Sequence, residues 1–276
     1  MRRTNSQIIL EIFIIAAIAA IFIGPLMYVI FSAGKTVAEA ADMSFLPPAK
    51  PQYLENFVTA VQASNYMLLR AFYNSILITV LSLVILVGAS SLAGFVLGRR
   101  KARAVSVANL LILIGLMLPP SVITTIWVLK TVGLYKSVLG LVLVEVALGF
   151  PYTVILYRAF TATIPRELDE AAILEGATPL QLFITIVFPL LKSVTATTIV
   201  LSSVAIFNDF VNPLYFLPGS KNVTVPLTLY NFMTQYSTRW NLLFANVLLI
   251  TIPPFLCFLF FNRKIVAGMT AGAIKG

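Results

Sequence analysis

A sequence without histidine lacks the commonest general base and the commonest zinc ligand together, and this chain of 276 residues has none. Its single cysteine, Cys257, lies in an apolar run and can close no internal disulfide. No Gly-x-x-x-x-Gly-Lys-Ser/Thr loop is present, so the chain should not bind ATP by that route. The acids are scattered except in one place. Residues 165–189 read Pro165-Arg-Glu-Leu-Asp-Glu-Ala-Ala-Ile-Leu-Glu-Gly-Ala-Thr-Pro-Leu-Gln-Leu-Phe-Ile-Thr-Ile-Val-Phe-Pro189. Four of the ten acids, Glu167, Asp169, Glu170 and Glu175, fall in this stretch, which still keeps an apolar face. The small pair Ala171–Ala172 at its middle lets another surface approach closely. The expected chemistry is contact, not catalysis.

The elements that hold these residues are marked by their own punctuation. Pro165 suits a first helical position, where a missing N–H costs nothing. Glu167, Asp169 and Glu170 then sit in or near a first turn, where the helix dipole favours negative charge. Gly176 is the natural stop, because it takes a left-handed conformation without a Cβ clash. A second helix starts at once: Thr178 can cap, Pro179 fills the first position, and Gln181 completes a capping box. Leu180, Phe183, Ile184 and Val187 follow at helical spacing. The prediction is two short helices at the membrane surface, joined by a tight turn.

Glu170-Ala171-Ala172, three residues, Gly176, nine residues, Ile186, one residue and Phe188-Pro189 resemble the EAA loop of importer-type ABC transporter permeases. That pattern is Glu-Ala-Ala, a Gly at fixed distance, then Ile-x-Leu-Pro; Phe188 stands where Leu is usual. Two further stretches resemble the maltose-type carbohydrate permeases. Phe207-Asn208-Asp209-Phe210 is similar to their Trp-Asn-Asp/Glu-Phe region, and the tail from Thr270 to Gly276 to their terminal Ala-Gly-x-x-Lys-Gly.

Composition sets the surroundings. Hydrophobic residues make up 59% and charged residues 11%, against about 25% charged in soluble domains; mean hydropathy is +0.97. Clean apolar runs of about 20 residues point to spanning helices, not a β-barrel. Six spans are expected, at about 8–31, 72–97, 105–129, 138–160, 190–216 and 242–261, in a single transmembrane domain covering 1–276. The first is read as a retained span, because it is longer than the roughly 7–15 apolar residues of a signal peptide. Pro119-Pro120 breaks the third, and the break should face protein or a water-lined cavity. A short amphipathic helix carrying Leu54, Phe57, Val58 and Val61 precedes the second.

The net charge of +9 is read as topology and not as nucleic-acid binding. Arg99, Arg100, Lys101 and Arg103 directly follow the second span and return the chain to the cytoplasm. Twelve of the 19 cations fall on that side: Arg2, Arg3, Arg99, Arg100, Lys101, Arg103, Arg158, Arg166, Lys192, Arg263, Lys264 and Lys275. Both termini are placed inside by the same rule. On the fifth span, Thr195, Thr198, Ser202, Ala205, Asp209 and Asn212 fall within a stripe about 100° wide at helical periodicity. Such a face must look at a partner helix or a water-filled path. Thr198, Ser202, Asp209 and Asn212 are its candidate path residues.

The resemblance implies an all-α membrane protein of the type I ABC importer fold, with six spans and a cytoplasmic two-helix coupling loop. It implies one membrane subunit of a carbohydrate importer in a bacterial cytoplasmic membrane, partnered by a second permease, ATPase subunits and an extracellular solute-binding protein. The chain itself would be no enzyme and would hold no cofactor; ATP and magnesium would sit on the ATPase. Glu170, Ala171, Ala172 and Gly176 would form the joint, with charge on Glu170 registering the dock. The external stretch 217–240 would meet the binding protein. An ion-coupled secondary transporter is the alternative. Of its intramembrane acids only Glu145 and Asp209 could serve coupling, and it would not need such a loop.

Overall fold

The computed structural model describes residues 5–219, 221–233 and 238–273. Arg2, Arg3, Ser220, Tyr236 and the last three tail residues, Ile274, Lys275 and Gly276, lie outside them, as do the side chains of Cys257, Arg263 and Lys264. The described residues are helical throughout, apart from loops and one isolated bridge between Met233 and Thr238. They fall into two compact units: Met1–Leu69 with Thr228–Ile252, and Arg70–Leu227 with Pro253–Gly276.

The first unit holds α1 (Asn5–Ala33), α2 (Val37–Ala41) and the start of α3 (Tyr53–Arg99), together with the start of α12 (Trp240–Ala273). Thr36 and Glu39 close a capping box on α2. Its core gathers Ala33, Ala60, Phe232, Leu242, Leu243 and Ala245. Buried amides complete the backbone bonding there: Asn56 Nδ2 donates to the Ala33 and Lys35 carbonyls at 2.9 Å each, and Asn241 Nδ2 donates to Asn56 Oδ1 at 3.0 Å. The predicted amphipathic helix and second span run together as α3, but the backbone breaks between them. Ser64, Asn65 and Tyr66 take positive φ values of 49°, 56° and 57°.

The second unit carries the rest. α4 (Arg103–Met117) and α5 (Val122–Thr131) share the predicted third span. The Pro119-Pro120 break between them is exposed within this chain. Just past it, the Ser121 carbonyl accepts from Thr125 N at 3.1 Å and from Thr125 Oγ1 at 2.8 Å as α5 begins. α6 (Val138–Thr161) packs closely on α3 through the small residues Ser90, Gly94 and Gly98. A Cβ on Gly94 would lie 2.6 Å from Tyr157 Cβ, so only glycine admits this approach. Ser90 Oγ and Thr153 Oγ1 hydrogen-bond at 2.7 Å in the same seam.

The chain continues through α7 (Glu167–Leu174), α8 (Pro179–Gln181), a π-helical turn over Leu182–Val187, α9 (Phe188–Leu190), α10 (Lys192–Phe207) and α11 (Val211–Phe216). Among the described residues three helices are long and apolar enough to cross a membrane: Glu11–Ala33, Tyr53–Arg99 and Val138–Thr161. Pro179–Leu190 and Lys192–Phe207, bent by 75°, make a fourth if taken as one span. Arg103–Met117, Val122–Thr131 and Trp240–Leu256 are shorter apolar helices.

Candidate coupling site

The Glu-Ala-Ala stretch begins later than its proline suggests. Helix α7 starts at Glu167 with Arg166 as N-cap, so Pro165 precedes the helix. The Arg166 carbonyl accepts the first bonds, from Asp169 N at 2.9 Å and Glu170 N at 3.1 Å. Glu167, Asp169 and Glu170 occupy the first turn, where the dipole welcomes them.

The end of α7 follows the sequence closely. Gly176 takes φ +86°. Its N–H donates to the Ile173 carbonyl at 3.0 Å, and the Ala177 N–H donates to the Ala172 carbonyl at 3.0 Å. That pair of bonds is a Schellman motif, which satisfies two carbonyls the helix end would otherwise leave open. Thr178 then starts α8 with both halves of a capping box: Gln181 N donates to Thr178 Oγ1 at 3.3 Å, and Thr178 N donates to Gln181 Oε1 at 2.8 Å. Two helix ends are thus locked within five residues, which makes the connection stiff.

The buried side of the element differs from the predicted one. Leu182, Phe183 and Val187 are buried, while Leu180 and Ile184 are 60% and 54% exposed. The reason is the π-helical turn. Its i→i+5 bonding widens the helix, so residues five apart, Leu182 and Val187, share a face. These side chains join Phe95, Tyr157, Ile164, Ala172, Leu191 and Val194 in one core. Ala172 is thus buried in its own chain at 5% exposure, whereas Ala171 and Glu170 are exposed. The alanine pair is divided: one residue packs inward and the other faces outward.

A residue the sequence reading assigned to topology fastens the element. Arg99, the last residue of α3, places Nε 2.7 Å from Asp169 Oδ2. Its Nη2 donates to Asp169 Oδ1 at 3.2 Å, and its Nη1 donates to the Ile164 carbonyl at 3.0 Å. The guanidinium fork therefore grips α7 and the turn before it at once. The pair is nearly buried, with side chains 10% and 14% exposed. No single-sequence signal joins two residues 70 positions apart. Around this clamp the outward surface combines apolar and acidic residues: Ile173 is 60% exposed and Leu174 89%, with Glu170 and Glu175 exposed beside them.

The fifth-span stripe does not stay on one helix. α10 ends at Phe207, and Asp209 lies in the break before α11. Asp209 Oδ1 accepts from Val211 N at 2.9 Å and Asn212 N at 3.3 Å, so it caps that short helix. Thr198 is buried and Ser202 half-buried. Tyr157 of α6 donates to Thr195 Oγ1 at 3.0 Å, and Asn212 Nδ2 donates to Glu145 Oε1 of α6 at 3.2 Å. Part of the stripe thus faces α6. The span expected from about 190 to 216 starts at Lys192, just past the bend at Leu191, and is interrupted at 208–210.

Comparison with known proteins agrees with this architecture. The melibiose/raffinose/stachyose import permease protein MelC of Bacillus subtilis (strain 168) is 33% identical, over 75% of this chain and 76% of its own. The probable starch degradation products transport system permease protein AmyC of Thermoanaerobacterium thermosulfurigenes is 29% identical across the full length of both. A bacterial ABC transporter involved in the import of the acidic polysaccharide alginate has a solved chain that superposes with a TM-score of 0.82. That similarity covers 95% of this chain and 99% of that one at 17% identity, and speaks to fold. Residues 90–271, which contain the whole two-helix element, match the family described as binding-protein-dependent transport system inner membrane component, and the chain belongs to that family.

Proposed function

We propose that this protein is one of two membrane subunits of an ATP-driven carbohydrate importer, and that residues 165–189 transmit motion from an ATPase to the spans. One observation carries the reading. A stiff two-helix element presents Glu170, Ala171, Ile173 and Leu174 outward, while its other side is fixed to the spans by the Arg99 clamp and an apolar core. A partner gripping the outer face can then move the element as one body. Six crossings, with both termini in the cytoplasm of a bacterium, put that face on the side where ATP is made.

In this mechanism the ATPase subunits hold ATP and magnesium, and their closure pushes the element. The spans rock between inward-open and outward-open arrangements about packed interfaces. Glu170 registers the dock by charge, Ala171 admits close approach, and Ala172 and Gly176 keep the element's shape. Thr198, Ser202, Asp209 and Asn212 serve the translocation path, in concert with the second permease. The outer stretch 217–240 receives the solute-binding protein. Its first part is held to α3, where Asn74 Nδ2 donates to the Val223 carbonyl at 3.0 Å and Ser75 Oγ accepts from Val225 N at 2.9 Å. The sugar class rests on the import and transport names of the relatives. An ion-coupled carrier would have no use for the outward joint.

Co-purification after mild detergent extraction tests the reading. Wild type should bring down a nucleotide-hydrolysing partner, and Glu170→Lys should lose it while remaining folded in the membrane. Wild type that carries no ATPase under conditions that preserve complexes would overturn the proposal.

A further inference from the structure

Between the end of α3 and the start of α4 lies an open hollow of about 460 Å³, apart from the outward docking face of the coupling element. Arg100, Lys101, Arg103, Arg158 and Arg166 line it, and no acidic side chain does. Among the described residues none of these five is ion-paired. Arg158 is held in place, its Nη1 donating to Asn109 Oδ1 at 2.8 Å on α4. The first turn of α4 carries no acid either, and Ala102 gives it no side-chain cap, so the local dipole adds to the positive field. Five like charges around one hollow repel each other, and an anion in the hollow relieves them.

From this cavity we propose a binding site for the phosphate of an anionic phospholipid headgroup. The flank beside it selects lipid over a free anion. α4 has no buried residue, and Val107, Leu110, Leu111 and Ile114 are 53%, 57%, 62% and 41% exposed. A phosphodiester seated among the cations would lay its acyl chains along this apolar face. Inorganic phosphate would gain the charges and leave the face unused. Basic pockets at the ends of membrane helices are built for such headgroups. The four-cation run that the sequence assigns to topology thus gains a second role, shared with Arg158 and Arg166 from further along the chain.

The test is native mass spectrometry of the full chain in its purified complex, titrated with palmitoyl-oleoyl phosphatidylglycerol or the matching phosphatidylcholine. Wild type should retain phosphatidylglycerol selectively. The combined Lys101→Gln, Arg103→Gln and Arg166→Gln variant should lose affinity by about fivefold for each cation removed. The charge-keeping variant, with Lys101→Arg, Arg103→Lys and Arg166→Lys, should restore most of it. Lys130→Gln with Lys136→Gln removes charge at the other end of α5 and should change nothing. Equal retention of both lipids, or equal loss in the Lys130/Lys136 control, refutes a built site. Displacement of the lipid by millimolar inorganic phosphate refutes lipid as its ligand.

Discussion

Gly176 offers a test in which backbone conformation and volume can be separated. Its φ is +86°, and a Cβ placed there would meet nothing within 4 Å. Any cost of substitution therefore comes from the left-handed backbone and not from a clash. An L-residue in that region costs about 1–2 kcal/mol. Alanine also restricts the unfolded chain, which returns about 0.4–1 kcal/mol, so Gly176→Ala should lose roughly 1 kcal/mol. That is about a fivefold increase in local opening. Valine is β-branched and a genuine outlier at positive φ, so Gly176→Val should approach the roughly 3 kcal/mol upper end for strained backbone. Asparagine tolerates the left-handed region and should lose only a few tenths, although its side chain is larger than that of alanine. Hydrogen exchange across residues 170–178 in the purified complex reads the opening directly, because the Gly176 and Ala177 amides close the Schellman motif. ATP-dependent uptake in vesicles should fall in the same order: wild type, Asn, Ala, Val. An order that follows side-chain volume, or a valine variant that exchanges and transports normally, would refute the stiff-joint argument.

Other outcomes follow from the same geometry. Arg99→Lys should fail to rescue what Arg99→Gln loses, because one ammonium cannot replace contacts to both Asp169 oxygens and the Ile164 carbonyl; a loss of about 1.5–3 kcal/mol is expected, read as a drop in thermal unfolding temperature. Ala172→Leu should destabilise by about 1–3 kcal/mol through overpacking. Ala171→Leu, on the outer face, should leave stability within about 0.5 kcal/mol yet weaken ATPase retention, and thermal scans run beside co-purification separate the two effects.

Legibility in the sequence followed the range of the interactions. The Gly176 stop and the Thr178–Gln181 box are decided within five residues by local backbone rules, and both were readable. The Arg99–Asp169 clamp is decided by helices packing at a distance, so Arg99 read only as a cation at a span's end. Of the apolar face expected over residues 180–187, Phe183 and Val187 are buried but Leu180 and Ile184 are not, because a 3.6-residue period was applied to a stretch that includes a turn bonding at i+5. The fifth-span stripe placed Asp209 and Asn212 on one continuous helix, but the chain breaks after Phe207 and Asp209 caps a new start.

The π-helical turn at Leu182–Val187 has a consequence for phasing. Such a turn amounts to one extra residue in an otherwise regular helix. One residue is about 100° of rotation. The turn absorbs its extra residue by underwinding, so the outward face of α7 keeps its aim relative to α10. Excising one residue from 182–187 would let the segment rewind to an ordinary helix with Glu170 facing much as before, whereas one more residue with no bulge to absorb it would swing Glu170 about a quarter of a turn, with every docking side chain still present. Where a partner grips this subunit is thus set by a count of residues as much as by their kind.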